Sequence, residues 1–475
     1  MRSVPWTLLS YIGNRGVGLL SQIVLARLLV PEDFGVVALA GTTVLLLGYL
    51  RDLGLANTLI LRHDLTARAQ GTVLTLAIGM SFALGAVGFA LAPWIADLFR
   101  EPDLTGIVRA LSLTICLGGF QGFAEAQLQK HMRFRERFVA QFAQALIYAA
   151  VAISLAATTD LGPWAIVIGQ LAMIVTGAAL MGAFAAPYWV RPAWDPAEAR
   201  DVLRTSRGFL AQVLFYFLQQ NTDYIAIGRA LNTAQVGFYS YSYRLAEIPY
   251  SAISDPVSRV TFSAFAAMRA RGEDIREAYL SVLRLVAVVS APLGIVLSTA
   301  ADPFTRVVFG DKWIPMIGTL TVLGLWASLR PLQNTSSWLL NSSGAPGLLA
   351  KINAALYVPF AAAIIAAATG PGIEGVAWVV VGFTVISIGA VWMASSREVG
   401  VPVVSQVRAV GPAVGSCVPA WLTGYATASA LDGEPVIGLL ATTVVCLATY
   451  VGVLALIDVE LVKRSLAQVR RTVGR

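Results

Sequence analysis

The sequence has little charge for its length. Only 13% of its 475 residues are Asp, Glu, Lys or Arg, whereas 57% are hydrophobic. Soluble domains usually carry about twice that charged fraction, so a soluble globular protein is excluded. Apolar runs of about 20 residues, each long enough to cross a bilayer as a helix, recur along the whole chain. These runs are too long and continuous for barrel strands, and they predict an all-α polytopic membrane protein.

Cysteine and histidine are also scarce. The three cysteines lie in apolar runs without paired spacing, and there are only two histidines, which predicts neither a disulfide framework nor a metal site. Residues 370–375, GPGIEG, formally match a dinucleotide-binding fingerprint, but they form a short turn between two predicted spans. Signatures of phosphate-binding loops, zinc sites and nucleophilic catalysis are missing as well. We therefore expect no cofactor, no metal and no covalent chemistry.

The basic residues indicate membrane topology rather than a nucleic-acid partner. The net charge is +7, with 34 lysines and arginines. Alternate connections between the apolar runs hold about 22 of these on one side and about 6 on the other. By the positive-inside rule, both termini are predicted to lie in the cytoplasm. We predict about 14 spans, at about 6–29, 34–61, 71–98, 104–128, 138–158, 163–187, 206–231, 236–266, 278–301, 315–341, 348–368, 373–396, 409–431 and 435–459.

The two halves of the chain resemble each other. LARLLVPEDFGVV, from Leu25, aligns with IGRALNTAQVGFY, from Ile227, and GPWAIVIG, from Gly162, aligns with GVAWVVVG, from Gly375. Because six predicted spans separate the copies, both begin on the same membrane side, which predicts two parallel six-helix bundles. We expect an N-terminal bundle at about 1–190, a cytoplasmic linker at 191–204, a C-terminal bundle at 205–400, and two extra helices with a basic tail at 401–475.

Ionisable residues interrupt several predicted spans. A charged side chain at bilayer depth costs several kcal/mol and nearly always faces a protein interior or a water-filled cavity. On the eighth span, six polar residues share an arc of about 120°: Ser240, Arg244, Glu247, Ser251, Asp255 and Arg259. Their spacing allows Arg244 to pair with Glu247, and the last two to pair with each other. The stripe therefore predicts either internal ion pairs that hold helices together or one wall of a water-lined pathway.

Arginine dominates the charges predicted inside the membrane, which indicates an anionic ligand. Arg15 lies near the middle of the first span and has no acidic residue within four positions. Guanidinium groups bind phosphate and diphosphate through two parallel hydrogen bonds. The predicted anion-binding residues are Arg15, Arg51, Arg244, Arg259 and Arg330. The acidic residues, predicted to couple transport to protons or sodium or to act structurally, are Asp52, Asp223, Glu247 and Asp255.

Several segments resemble the Wzx-type polysaccharide flippases of the multidrug/oligosaccharidyl-lipid/polysaccharide (MOP) exporter superfamily. They are LARLLVPEDFG, RDLGLANTLI, MRFRERF and NTDYIAIGRAL…VGFYSYSYRLAEIP. The resemblance covers about residues 1–400. It implies a V-shaped MOP/MATE-like transporter in the bacterial inner membrane, not an enzyme. Such proteins move undecaprenyl-diphosphate-linked oligosaccharide repeat units, for exopolysaccharide, capsule or O-antigen biosynthesis, by alternating access between two bundles.

The resemblance also implies roles for single residues. Matched position by position, Arg15, Arg51, Arg244 and Arg259 resemble the family's cationic cavity residues, and Asp223 resembles a recurring acidic position. The match of Arg330 is weaker. Packing alone is the alternative role of the aromatic residues among those predicted to contact sugar. The predicted sugar-contacting residues are Tyr216, Gln219, Gln220, Tyr239, Tyr241 and Tyr243.

Partners and alternatives complete the prediction. The expected partners are the lipid-linked oligosaccharide, membrane lipid, and a polysaccharide polymerase with its chain-length regulator; the protein itself is expected to be monomeric. A MATE-like drug or cation antiporter would favour a cavity lined by carboxylates. A lipid II flippase of the same superfamily would share the fold and the arginines. A membrane-embedded glycosyltransferase or polymerase would usually need a sizeable extramembrane loop, and the predicted outer loops are short.

Overall fold

The apolar runs form helices at the predicted positions. The structure, a computed structural model, describes residues 4–52, 59, 65–431 and 433–458. Throughout these residues, the regular elements are helices. The chain divides into two compact units, Met1–Gly237 and Phe238–Arg475.

The first unit is built from seven long helices and the start of an eighth. They are α1 (Val4–Leu28), α2 (Pro31–Asp52), α3 (Ala67–Phe99), α4 (Leu104–Lys130), α5 (Phe134–Thr158), α6 (Pro163–Ala185), α7 (Pro196–Ala230) and the first residues of α8 (Thr233–Ala270), with a 3₁₀ turn at Ala186–Tyr188. The main packing pairs are α3 with α4, α5 with α6, α4 with α6, and α1 with α5. Small residues let α3 and α4 approach closely, as in other membrane helix pairs. A Cβ on Gly88, for example, would lie 2.6 Å from Ser112 Oγ.

The predicted linker is held against α3 and leads directly into α7. Thr75 Oγ1 donates to the Ala193 carbonyl at 3.0 Å, and the Asp195 N–H donates to Thr72 Oγ1 at 3.0 Å. Asp195 also caps α7, because its Oδ1 accepts from the Ala197 N–H at 3.0 Å. In the structure, α7 starts at Pro196 and packs on α2 and α3 of the first unit. The division into a linker at 191–204 and a second bundle from 205 stays a prediction.

The two copies of the repeated turn contact each other. A Cβ on Gly35, at the start of α2, would overlap the backbone of Thr233, at the start of α8, and would lie 3.1 Å from the Gly237 N. A Cβ on Gly237 would in turn overlap the backbone of Pro31. In the alignment of the two turns, Gly35 matches Gly237 and Pro31 matches Thr233. The contact is therefore reciprocal, because each glycine lies against the backbone of the other turn.

The second unit contains the rest of α8 and seven further helices. They are α9 (Arg276–Thr299), the short α10 (Ala301–Val308), α11 (Ile317–Ser342), α12 (Pro346–Thr369), α13 (Gly372–Glu398), α14 (Val403–Ala430) and α15 (Pro435–Ile457), with a 3₁₀ turn at Asp311–Met316. Helix α9 packs on α11 and α14, and α11 also packs on α13. Buried residues of α9, α14 and α15, such as Leu283, Ala413 and Tyr450, belong to one hydrophobic core. The two C-terminal helices are thus an integral part of this unit.

A buried polar network joins four helices of the second unit. Tyr279 Oη of α9 donates to Gln406 Oε1 of α14 at 2.9 Å and lies 3.1 Å from Ser336 Oγ of α11. Trp392 Nε1 of α13 donates to Ser336 Oγ at 2.9 Å, and Ser395 Oγ lies 3.4 Å from Gln406 Oε1. We call these five residues the Tyr279 network. They are at most 8% exposed, and because each has a partner the network holds the helices together.

Ten helical segments of the described residues are long and apolar enough to cross a membrane. This finding confirms a multi-pass helical membrane protein. The long helices outside this set are α1, α7, α8 and α14. The first three contain the intramembrane charges that the sequence predicts to be functional, at Arg15, Asp223 and Arg244. The total of about 14 crossings stays a prediction.

Candidate functional site

A cavity in the first unit contains one of the predicted anion-binding arginines. It encloses about 320 Å³ of empty space, part of which is open to solvent, and is lined by Arg51, Asp52, Leu59, Val73, Ala77, Gly118, Gly119, Gly122 and Phe123. We call it the Arg51 cavity. Arg51 comes from the last turn of α2, and the glycines come from the middle of α4. The structure thus places a guanidinium group beside a glycine-rich stretch of helix backbone.

Two nitrogens of the Arg51 guanidinium contact the carboxylate of Asp52. Arg51 Nε donates to Asp52 Oδ1 at 2.8 Å, and Arg51 Nη2 lies 2.8 Å from the same oxygen. The Arg51 side chain is 19% exposed, whereas that of Asp52 is 62% exposed. The ion pair therefore lies at the cavity mouth, with the carboxylate outermost.

Gly118 makes room for this arginine. A Cβ at Gly118 would overlap Arg51 Nη1 and lie 2.8 Å from Arg51 Cζ. A Cβ at Gly122, one turn further along the same wall, would have no atom within 4 Å. The absence of a side chain at Gly118 therefore positions Arg51, while Gly122 only enlarges the cavity. The sequence analysis did not identify Gly118, because only the fold brings this glycine to Arg51.

Three further predicted arginines, Arg15, Arg244 and Arg259, lie on α1 and α8. Arg15 and Arg244 are exposed, and Glu247 is half-buried. Within the described side chains, no ion pair joins Arg244 to Glu247, so the self-pairing suggested by their spacing does not form there. Ser240 and Ser251 are buried, so part of the predicted stripe faces protein. The side chains of Asp255 and Arg259 lie outside the described residues.

The predicted acidic residues of the first unit differ in exposure. Asp223 is 5% exposed and its Oδ1 accepts from the Tyr224 N–H at 2.9 Å. Asp52 is mostly exposed and pairs with Arg51. In the part of the chain that the structure describes, no three His, Cys, Asp or Glu side chains come close enough to hold a metal ion.

Arg330 of the second unit has aromatic surroundings. Its Cζ lies 5.4 Å from the ring centre of Tyr250 and 5.6 Å from that of Trp326, within the range of cation–π attraction. Its Nη1 donates to Gln333 Oε1 at 3.1 Å, and Asn334 Nδ2 donates to Tyr250 Oη at 3.0 Å. We call these five residues the Arg330 cluster. Sequence analysis found the arginine alone, because only the fold brings Tyr250 of α8 to α11.

The predicted sugar-contacting residues separate into accessible and buried ones. Tyr216 is 50% exposed and meets Tyr49 edge to face at 6.0 Å. Tyr243 is half-buried and lies 4.9 Å from Trp326. Gln219 and Gln220 are also half-buried. Tyr239 and Tyr241 are 0% and 2% exposed, so in this structure those two rings pack in the core.

The sequence is similar to proteins of bacterial polysaccharide synthesis. Residues 24–318, more than half of the chain, match the family described as "Polysaccharide biosynthesis protein". The teichuronic acid biosynthesis protein TuaB of Bacillus subtilis (strain 168) is 28% identical over 347 residues, which are 71% of this chain and 69% of that protein. The lipopolysaccharide biosynthesis protein WzxC of Escherichia coli (strain K12) is 26% identical over 388 residues, 81% of this chain and 77% of that protein.

The fold is similar to solved transporter structures. The lipid II flippase MurJ in an inward closed conformation superposes with a TM-score of 0.77 at 12% sequence identity, over 97% of this chain and 100% of MurJ. An inward-facing multidrug resistance MATE family transporter of the MOP superfamily gives 0.65 at 14% identity, over 81% and 94%. The expected MOP-type fold is therefore confirmed. The match of sequence and fold over most of the chain leads to one conclusion: this protein belongs to the family of polysaccharide biosynthesis proteins.

Proposed function

We propose that this protein is a flippase for lipid-linked oligosaccharides in the bacterial inner membrane. Its substrate is undecaprenyl diphosphate bearing an oligosaccharide repeat unit, used for exopolysaccharide, capsule or O-antigen biosynthesis. The observation that carries the proposal is the Arg51 cavity. There the guanidinium group at the end of α2 lies beside the glycine backbone in the middle of α4. Family membership and the names of TuaB and WzxC support it.

The chemistry of the headgroup explains the need for arginines. A diphosphate that crosses about 30 Å of hydrocarbon loses its hydration, and this loss costs a large free energy. Fixed positive groups in a protein offset that cost by pairing with the phosphates. Arg15, Arg51 and Arg244 replace that hydration with hydrogen-bonding guanidinium groups, and Arg259 is proposed to do the same. The polyprenyl tail stays in the lipid while the headgroup crosses by alternating access.

The architecture we propose has about 14 spans, arranged as two parallel six-helix bundles and two extra helices, with both termini in the cytoplasm. The reciprocal contact of Gly35 with Thr233 and of Gly237 with Pro31 supports the duplication. The distribution of lysines and arginines supports the orientation. In this orientation, Arg51 lies at the cytoplasmic end of α2, where a headgroup made in the cytoplasm would arrive.

Coupling and partners extend the proposal. Asp52, Asp223, Glu247 and Asp255 are the candidates for coupling transport to protons or sodium; the alternative driving force is consumption of the flipped product by a polymerase. We propose that the protein works as a monomer with a polysaccharide polymerase and its chain-length regulator. Neither a cofactor nor nucleic acid enters this scheme.

Alanine substitutions of two predicted anion-binding arginines, Arg15 and Arg244, test the function. Arg15→Ala and Arg244→Ala should abolish polymer export and cause lipid-linked repeat units to accumulate, at near-normal protein levels. Arg→Lys variants should be only partly tolerated, because lysine lacks the two-pronged guanidinium. Arg397→Ala, an exposed residue near the end of α13, is the matched control and should export normally. Normal export by both the Arg15→Ala and the Arg244→Ala variants would contradict the proposal.

A further inference from the structure

Helix α11 carries two polar clusters with different accessibility. Ser336 belongs to the Tyr279 network, whose members are at most 8% exposed and hydrogen-bonded to one another. Arg330 and Asn334, within two turns of it, are half-buried, as is Tyr250 of α8. The buried network accounts for helix cohesion in this part of the unit. The Arg330 cluster has a partly accessible surface that cohesion alone does not require.

The guanidinium of Arg330 is held in a fixed orientation. Gln333 accepts from its Nη1, and Gln333 Nε2 in turn donates to Ser387 Oγ of α13 at 2.7 Å. Trp326, 2% exposed, lies beneath Arg330 and is itself covered by Tyr243 at 4.9 Å between ring centres. The side chain is therefore preorganised by neighbours on three helices, which reduces the entropy lost on binding a ligand.

The ring of Tyr250 is also fixed. Its hydroxyl accepts from Asn334 Nδ2, and its face lies 5.4 Å from Arg330 Cζ. Tyr250, Arg330 and Asn334 thus combine a half-buried aromatic ring, a cation and a planar amide. All three side chains are partly accessible.

The position of Arg330 argues against a purely structural role. The residue lies in the middle of α11, far from both helix ends. Pro331 follows it directly and interrupts the backbone hydrogen bonds of the helix. Charged residues in the middle of membrane helices are costly and usually mark a substrate pathway. Small-molecule sites typically combine an apolar surface with a few fixed polar groups.

We propose that Tyr250, Arg330 and Asn334 form a saccharide-binding subsite in the second unit. The inference rests on the proposed function and deepens it, because it assigns recognition of the sugar, as opposed to the diphosphate, to these residues. The aromatic ring packs against the C–H face of a pyranose, through weak C–H contacts and area burial. The guanidinium edge and the amide form hydrogen bonds with sugar hydroxyls, which makes binding depend on their positions.

Binding to two lipids tests the subsite. The probes are undecaprenyl diphosphate and the undecaprenyl-diphosphate-linked oligosaccharide extracted from the source bacterium, each titrated into the full chain in lipid nanodiscs. The wild type should bind the glycosylated lipid more tightly. Tyr250→Leu should weaken binding of the glycosylated lipid about tenfold and leave binding of undecaprenyl diphosphate unchanged. Tyr250→Phe, which keeps the ring, should retain most of the preference.

A matched control variant excludes a general effect of removing an aromatic ring. Tyr425, 53% exposed and stacked on Trp421 at 5.1 Å, supplies the control variant Tyr425→Leu, which should bind both lipids normally. If Tyr250→Leu weakens both lipids equally, or neither, the saccharide subsite is overturned. Equal wild-type affinity for both lipids overturns the subsite and leaves the proposed function intact. If the wild type binds neither lipid, the proposed function itself fails.

Discussion

Two arginines inside predicted membrane spans, Arg51 and Arg330, are stabilised in different ways. Arg51 pairs with the carboxylate of Asp52 at 2.8 Å and lies on bare backbone at Gly118. Arg330 faces the rings of Tyr250 and Trp326 and donates to an amide oxygen. One arginine has a formal counter-charge at the mouth of a cavity. The other is stabilised by the π electrons of two aromatic rings and by the dipole of the Gln333 amide.

From this difference we infer that the two arginines bind different parts of the substrate. The carboxylate of Asp52 is 62% exposed. Because exposed salt bridges contribute only about 0–1 kcal/mol to stability, this ion pair can exchange partners. A doubly charged diphosphate can therefore compete with Asp52 for the guanidinium of Arg51. Stacked arginine and aromatic rings instead match the mixed polar and apolar surface of a sugar. Arg51 is thus suited to the headgroup and Arg330 to the glycan.

The largest effect is expected from moving Arg51 without changing it. In Gly118→Ala, the new methyl group occupies the space of Arg51 Nη1, which is the far end of a flexible side chain, so the protein should fold while the guanidinium shifts. A hydrogen bond to a charged group contributes about 1.5–3 kcal/mol, so binding of undecaprenyl diphosphate should weaken at least about tenfold. Titration of the lipid into purified protein measures this.

Gly122→Ala is the matched control for this prediction. Both glycines line the Arg51 cavity, but a Cβ at Gly122 has no atom within 4 Å. The control should bind undecaprenyl diphosphate nearly as well as the wild type. An equal loss in both variants would mean that cavity volume matters and the position of Arg51 does not.

Lysine substitutions sharpen the comparison at a smaller scale. Arg330→Lys replaces a planar cation between two rings by a compact ammonium, and the loss of about 1 kcal/mol predicts about fivefold weaker binding of the glycosylated lipid. Arg51→Lys loses the two-pronged contact with the diphosphate, which both lipids carry, and should weaken binding of both lipids equally. The measurement is the affinity of each variant for each lipid in nanodiscs. Equal weakening of both lipids by Arg330→Lys would remove the distinction between an ionic and an aromatic arginine.

The smallest effect is expected from removing the hydrogen bond that holds Gln333, the residue that accepts from Arg330. Ser387→Ala removes the hydroxyl that accepts from Gln333 Nε2 at 2.7 Å, and one neutral hydrogen bond contributes about 0.5–1.5 kcal/mol. Binding of the glycosylated lipid should weaken about two- to threefold, with binding of undecaprenyl diphosphate unchanged. Thr384→Val, a buried position one turn earlier on α13 whose hydroxyl bonds only its own helix, is the control. An unchanged affinity in Ser387→Ala would show that Gln333 does not orient the arginine.

Helix positions followed from the sequence because hydropathy is a local property. The predicted spans 104–128 and 373–396 correspond to helices Leu104–Lys130 and Gly372–Glu398. The surroundings of the linker depend on more than local sequence. An N-cap at Asp195 and a proline at the first position of α7 are visible in the sequence, but the packing of α7 on α2 and α3 is not. Unit membership depends on that packing.

The candidate sites were predictable only in part. An arginine in an apolar run is visible without a structure, so Arg51 and Arg330 were found. The sequence did not distinguish buried from accessible tyrosines, because Tyr241 and Tyr243 have similar local sequences. In the structure, the Tyr241 ring lies 4.5 Å from that of Trp313 in the core, whereas Tyr243 is half-buried. Which side of a membrane helix faces protein depends on its neighbours.

The sequence by itself determined that this chain is a helical membrane protein with arginines in its apolar segments, because each of these properties belongs to a single stretch of residues. Only the tertiary structure decided that Gly118 makes room for Arg51, that Tyr250 and Trp326 flank Arg330, and that the repeated turns meet at Gly35 and Gly237. These are contacts between residues far apart in the chain, and packing of whole helices brings them together. Local patterns of hydropathy and charge do not encode such distances.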